Sequence, residues 1–327
     1  MGPISKSGCS LVNSWRPSQP LTMECGTHGP RGNRSVRHAL RRLRAIDAST
    51  PIDRVLVTGD VTDAGTRAEW VEFLDLIRCH PDLRSRILFV PGNHDVNIVD
   101  RTNTGRFDIP WSVGHALRRL RFVVALDGVQ GEHVHIVGRE SGALGPSVRD
   151  YLRDGDRTAR LRELAERGTW RGRWEISTVW DDIFPLVAPP TSPGGCGAIL
   201  LDSNARSHFS ATNAIGVVSH SQLKRLKAVL NASPAHPWIV LLHHHVVEYP
   251  HESVALGDRI ALSLMNAPDV LSAISRHSKR SRHVVGVISK SFPSRVQTSR
   301  PRWSQSAQST PSKYSPTSVA SSLFRSR

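Results

Sequence analysis

From about residue 35 to 275 the chain alternates between two spacings of apolar residues. Val36, Leu40 and Leu43 recur at helical intervals, with Arg37, Arg41, Arg42 and Arg44 between them. The short run Arg54-Val-Leu-Val-Thr58 reads as a strand and ends in Gly59-Asp60. Trp70, Phe73, Leu74 and Ile77 then mark one face of a helix. A second short strand, Ile87-Leu-Phe-Val90, ends in Pro-Gly-Asn-His-Asp. Further on, Ala198-Ile-Leu-Leu-Asp202 reads as a buried strand, and Leu223, Leu226, Val229 and Leu230 as a helix. Trp238-Ile-Val-Leu-Leu242 is another buried strand, closed by three histidines. Short β-branched runs between helices predict an α/β fold with a buried sheet. The polar groups fall just past the strands, at the carboxyl ends where open α/β sheets place their sites.

Between Asp95 and Pro193 the pattern is less regular, rich in Arg and Gly, with Trp170, Trp174 and Trp180 close together. It predicts helix near Ala116–Arg121, strand near Phe122–Leu126 and helix near Arg157–Arg167. We read about 100–193 as an insertion or cap within a domain spanning 31–288. Residues 1–30 are a poorly defined leading segment. From Ser289 to Arg327 the chain is dominated by Ser, Arg, Pro, Thr and Gln without apolar periodicity. Such a segment has too little apolar surface to offset its ordering entropy, so disorder is expected over 289–327.

Charge changes the picture less than its total suggests. The 327 residues carry a formal +15, which invites a nucleic-acid reading. Yet Arg276 to Arg327 holds 11 Lys and Arg and no acid, and Met1 to Arg44 holds 8 bases and one acid. The segment between has 24 bases against 27 acids. Any nucleic-acid contact is therefore expected through the basic termini alone. No apolar run approaches the roughly 20 residues of a bilayer span, and Met1–Pro20 lacks a signal-peptide core. Lys6 stands where a myristoylation signal wants Ser or Thr. A cytoplasmic protein is expected. Cys9, Cys25, Cys79 and Cys196 form no paired motif, which argues against a disulfide framework and a structural zinc site.

Three constellations carry the chemistry: Gly59-Asp60-Val-Thr-Asp63, Gly92-Asn93-His94-Asp95, and His243-His244-His245, each directly after a strand. Their logic is that of a two-metal hydrolase, in which two ions about 3.5–4 Å apart clamp phosphoryl oxygens and acidify a water. The Asp60 carboxylate suits a bridging position. The Asn93 amide oxygen is a neutral ligand that leaves net positive charge for an anionic substrate. An imidazole from the histidine run suits Zn, Mn or Fe. His94, next to the amide ligand, can protonate a leaving oxygen as general acid, and Asp63 can fix its tautomer. Neighbouring strand residues point to opposite faces, so the three histidines cannot all converge. His133 and His135 share one side of a strand-like run and read as surface histidines.

These residues resemble consecutive motifs of the calcineurin-like metallophosphoesterases: Val-Thr-Gly59-Asp60-x-x-Asp63, Val-Pro-Gly92-Asn93-His94-Asp95 and Leu-Leu-His243-His244. Leu201-Asp202-Ser203-Asn204, and Gly216 followed by Gln222-Leu223, are similar to the bacterial branch that includes cyclic-nucleotide and glycerophosphodiester phosphodiesterases. The likeness spans about residues 50–250. It implies a layered αββα sandwich, two central mixed sheets flanked by helices, with two divalent ions (Mn, Fe or Zn) and a small phosphate ester as substrate. It makes Asp60 the bridge, Asn93 and His243 ligands (His244 the alternative), and His94 with Asp63 the proton-donating pair. Asp202 is expected to support the structure, and His245 is given no role.

Two family motifs are incomplete. Upstream of Gly59 the family has Asp-x-His; here Gly26-Thr27-His28-Gly29 offers His28 as a metal ligand but Gly26 in place of the aspartate. The closing Gly-His-x-His is missing: Val284–Ile288 is followed by Ser289-Lys-Ser-Phe292. That loss coincides with the change in composition, as a shifted reading frame would produce. Two enzyme-related readings follow, a working phosphoesterase and an impaired relative that keeps the scaffold. A basic nucleic-acid-binding protein is the third class. The tail's few aromatics, Trp303, Tyr314 and Phe324, give it little to stack bases on.

Overall fold

The computed structural model describes residues 32–97, 112–192, 195–204, 215–233, 236–246, 263–281 and 285–288. His28 and the 289–327 tail lie outside these residues. The first half-layer comprises α1 (Gly32–Ser49), β1 (Val55–Val57), α2 (Arg67–Arg78), α3 (Pro81–Arg84), β2 (Ile87–Phe89) and α4 (Asn93–Val96). Then follow α5 (Val113–Gln130), β3 (His135–Val137), β4 (Leu144–Ser147), α6 (Val148–Leu152), α7 (Gly155–Arg167) and α8 (Trp170–Ile183). The remainder is β5 (Leu186–Ala188), β6 (Gly197–Leu200), α9 (His220–Ala232), β7 (Trp238–Leu241), α10 (Ala267–Ser281) and β8 (Val285–Ile288). Among the described residues no helix is long and apolar enough to cross a membrane.

Two sheets form the centre. β1 and β2 pair in parallel, Leu56 opposite Leu88. The larger sheet is mixed, in the order β4-β3-β5-β6-β7-β8, with β6, β7 and β8 parallel and the other pairs antiparallel. Alternation along the strands sorts their side chains. Ala198, Leu200 and Leu241 join a core shared with β1, β2, α2, α5 and α8. Ile199, Leu201, Val240 and Leu242 join a second core under α9 and α10. With both faces covered, these strands read as continuous apolar runs, which is why β6 and β7 stood out in the sequence.

The helices follow their local signals. Thr66 and Glu69 make a reciprocal capping box at the start of α2, and Trp70, Phe73 and Ile77 are buried on its inner face. Asp154 caps α7, which ends on Gly168 in the left-handed conformation. The strand expected at Phe122–Leu126 is overturned: those residues lie inside α5, a helix capped by Ser112. A short apolar run fits a buried helix as well as a strand, and Phe122–Leu126 is buried on every side of the helix. From the region expected to be an insertion, α5, α8 and β5 contribute to the first core. Phe122 sits among Trp70, Phe89, Trp180 and Phe184, with ring centroids 5.4–6.4 Å away.

Side-chain amides close backbone that strands leave open. Gln130, fully buried at the end of α5, accepts from Phe89 N (2.8 Å) and donates to Phe89 O (3.2 Å). It thus pairs with the outer edge of β2 as a neighbouring strand would. Gln222 does the same for Asp202 at the end of β6, both bonds being 3.0 Å. Asn266 does it for Val218, at 3.0 and 2.8 Å. Replacing Gln130 by Leu keeps the volume but leaves a buried N–H and C=O without partners. The expected cost is about 2–4 kcal/mol, read from urea unfolding. A loss below roughly 0.5 kcal/mol would mean the β2 edge is satisfied in some other way.

Candidate metal and phosphoester site

Three strand ends meet. After β1 the chain takes two left-handed residues in succession, Gly59 (φ +90°) and Asp60 (φ +53°). Glycine adopts this region without strain, and Asp is among the few other residues that tolerate it. The double turn hooks the Asp60 carboxylate back over the end of β2. Gly92 receives it there: a Cβ at Gly92 would lie 2.2 Å from both Asp60 N and Asp60 Oδ1, and one at Gly59 would lie 2.6 Å from Gly92 N. The two loops can approach this closely only because neither glycine carries a side chain. His94 N then donates to Asp60 Oδ1 (3.1 Å).

The third contribution comes from β7. His243 is fully buried and turns towards the other two ends. Its Nδ1–H donates to the Thr58 carbonyl (2.6 Å), which assigns the proton to that nitrogen because a carbonyl can only accept. Nε2 then lies 2.9 Å from Asn93 Oδ1 and 3.4 Å from Asp60 Oδ1. Three lone-pair atoms converge, an arrangement that a cation satisfies and that a hydrogen bond satisfies if His243 takes a second proton or if the Asn93 amide turns its N–H towards Nε2. An imidazole held at Nδ1 by a backbone carbonyl is also the usual outer support of a metal-ligating histidine. The donor set of carboxylate, amide oxygen and imidazole fits a divalent ion. Among the described residues, however, no three His, Cys, Asp or Glu side chains form a metal-holding group, so the meeting point supplies three donors of which one is an amide.

His244 faces elsewhere, as strand alternation requires. Ser203 Oγ accepts from the backbone N–H groups of His243 and His244 (3.2 Å each) and lies 2.8 Å from His244 Nδ1. His245 leaves the strand in a bridge to Ser263. The structure therefore brings His243, and neither neighbour, to Asp60 and Asn93. His135 binds the Gly145 carbonyl in its hairpin, away from the site.

His94 and Asp63 are paired. His94 Nδ1 donates to the Asp63 carbonyl (3.0 Å) and lies 3.3 Å from the Asp63 carboxylate. Both are acceptors, so Nδ1 carries the proton and Nε2 is left to exchange one with a substrate. His94 is partly exposed, at 27% of its side chain.

Sequence reasoning gave Asp95, Ser203 and Asn204 no role, yet they hold the site together. Asp95, with no exposed surface, accepts from Gly92 N (2.9 Å), Thr62 N and Thr62 Oγ1 (2.8 Å each), tying the β1 loop to the β2 loop. Burial, and then the nearby charge of Asp60, push its carboxyl up to about 7 against those hydrogen bonds. Asp202, expected to be structural, accepts from Trp180 Nε1 (2.7 Å) and from Asn204. Burial raises its pKa, and these bonds oppose the rise. The signal for Asp95 lay inside a motif already noted. For Ser203 and Asn204 the signals were their place after a buried strand and the resemblance of Leu201-Asp202-Ser203-Asn204 to the family.

The family model of the calcineurin-like phosphoesterases matches residues 27–278, most of the chain. No curated protein matches it.

Proposed function

The chain belongs to the calcineurin-like phosphoesterase family, and on that premise we propose that it hydrolyses phosphate esters, diesters or monoesters, at a dinuclear metal centre. Members of this family are metal-dependent phosphoester hydrolases. The observation that carries the reading is the convergence of Asp60, Asn93 and His243 from three separate strand ends. Asp60, Asn93 and His243 would together hold one ion, Asp60 would also serve the second as the shared carboxylate, and His28 is assigned to the remaining side. Bound Mn, Fe or Zn would supply Lewis-acid polarisation of the phosphoryl group and a more acidic water. Asn93, being neutral, keeps the site positive towards an anionic substrate. His94, entering the step protonated on both ring nitrogens, gives its Nε2 proton to the departing oxygen, and Asp63 holds the ring through Nδ1.

The test is metal content together with hydrolysis of bis-p-nitrophenyl phosphate. Two equivalents of metal and turnover support this reading. One equivalent or none, without turnover, supports the alternative of an impaired relative that keeps the scaffold. A specific observation favours that alternative: the chain has no Gly-His-x-His.

The acid role of His94 has its own signature. His94→Ala should leave metal content nearly unchanged. It should slow esters with poor leaving groups by about 10²–10⁴-fold and nitrophenyl esters far less, because nitrophenolate departs without a proton. Equal losses for both substrate classes would remove His94 from this role.

A further inference from the structure

Asn204 stands behind the meeting point, just beyond the end of β6. Its side-chain nitrogen is fully used: one proton goes to Asp202 Oδ1 (2.8 Å) and the other to the Pro91 carbonyl (3.0 Å). Its backbone N–H adds a further bond to Asp202 Oδ1 (2.9 Å). Reversing the amide would turn its oxygen against two acceptors, so these bonds fix its orientation. Asp202 is itself anchored, through Oδ2 to Trp180 Nε1 (2.7 Å) and through its backbone to Gln222. The Arg119 guanidinium lies over the Trp180 ring, 5.0 Å from its centroid. Trp180, Asp202 and Asn204 are all buried.

A continuous set of buried bonds thus runs from α8 to the carbonyl of Pro91, the residue before Gly92-Asn93. Proline has no N–H, so that carbonyl is the residue's single backbone hydrogen-bonding group. Asn204 occupies it from the sheet that also carries His243. On the other side, the Gly92 turn is held by Asp95 and by the close approach of Asp60.

We infer that Asn204 is a positioning residue of the site: it suspends the Gly92–Asn93 turn from the end of β6 and so sets the separation of Asn93 Oδ1 from His243 Nε2. This rests on the reading that Asn93 and His243 hold metal, but the bracing itself can be measured without metal. It acts through Asn93 and has no part in the chemistry.

The experiment compares Asn204→Ser with Gln222→Ala by amide hydrogen exchange in the metal-free protein and by Mn²⁺ titration calorimetry. Serine is too short to reach both Asp202 and Pro91. Gln222→Ala is the control: like Asn204→Ser it removes two buried side-chain bonds, but both go to the Asp202 backbone and none to Pro91. In Asn204→Ser the amides of Gly92 and His94 should exchange about tenfold faster or more, beyond any change at Leu161 in α7. In Gln222→Ala the turn and Leu161 should change together. The Mn²⁺ dissociation constant should rise about 10–100-fold in Asn204→Ser alone, as when outer supports of a ligand are lost. Unchanged exchange at Gly92 and His94, or acceleration that Leu161 and the control share equally, would overturn the inference. If the wild-type chain binds no Mn²⁺, the proposed function fails, and the exchange comparison still decides the role of Asn204.

Discussion

Asp60→Asn should abolish metal uptake while leaving the metal-free fold at least as stable. The substitution is nearly isosteric, and Asn accepts the left-handed backbone that Asp60 adopts, so the turn after β1 should persist. What changes is charge. Asp60 is only 12% exposed, and its carboxylate stands near the buried Asp95 carboxyl, whose pKa it helps to raise. Removing that charge relieves repulsion, and the amide oxygen can keep the bond from His94 N. The metal-free protein should gain about 0.5–2 kcal/mol, the usual range when a functional compromise is relieved. Metal affinity should fall by more than about 100-fold, beyond what outer-shell changes cost, and turnover with it. Calorimetric titration with Mn²⁺ and urea unfolding of the metal-free chain read the two effects separately. Retained metal binding would remove Asp60 from the ligand set. A large loss of metal-free stability would make Asp60 a structural residue.

Phe122→Ala should cost about 3–5 kcal/mol, the range for truncating a fully buried aromatic. Its ring is enclosed by Phe89, Trp180, Trp70 and Phe184, with Phe89 and Trp180 nearest at 5.4 and 5.5 Å. These rings come from β2, α8, α2 and the turn before β5, so the cavity would open where four parts of the fold meet. Phe89 closes β2 immediately before Val90-Pro91-Gly92, so this cluster packs on the strand that leads into the candidate site. Phe122→Leu should cost less, because most of the volume stays. A loss below about 1 kcal/mol for the alanine variant, by urea unfolding, would mean that the rings collapse into the gap.

What the sequence revealed, and what it hid, follows from how local each signal is. β1, β2, β6 and β7 are short apolar runs ending in polar residues, and that pattern survives folding unchanged. The placement of Asp60, Asn93 and His243 at strand ends was legible for the same reason. The choice of His243 over His244 needed the resemblance, because alternation tells only that the two point apart. Phe122–Leu126 was misread because five buried residues have no polar face to show their period. Thr58, Asn204 and Gln130 act through backbone carbonyls and edges that come close only in three dimensions. Thr58 and Asn204 fall inside motifs that carry the resemblance, but nothing in their neighbourhoods tells what they bond to, and nothing marks Gln130 at all. His28 and the basic tail fall outside the described residues, so the two incomplete motifs are seen in the sequence alone.

The amide of Gln130 on the rim of β2 has a consequence for behaviour at high concentration. A parallel strand with bare N–H and C=O groups is a template on which another chain can add itself, the usual start of domain exchange and fibril growth. At Phe89 both groups that point away from β1 are already taken, by a side chain that offers nothing further to copy. Growth of the small sheet by strand addition at its β2 edge therefore has to displace a buried glutamine first. Self-association through this edge should track partial unfolding at the end of α5, rather than simple collision of folded molecules.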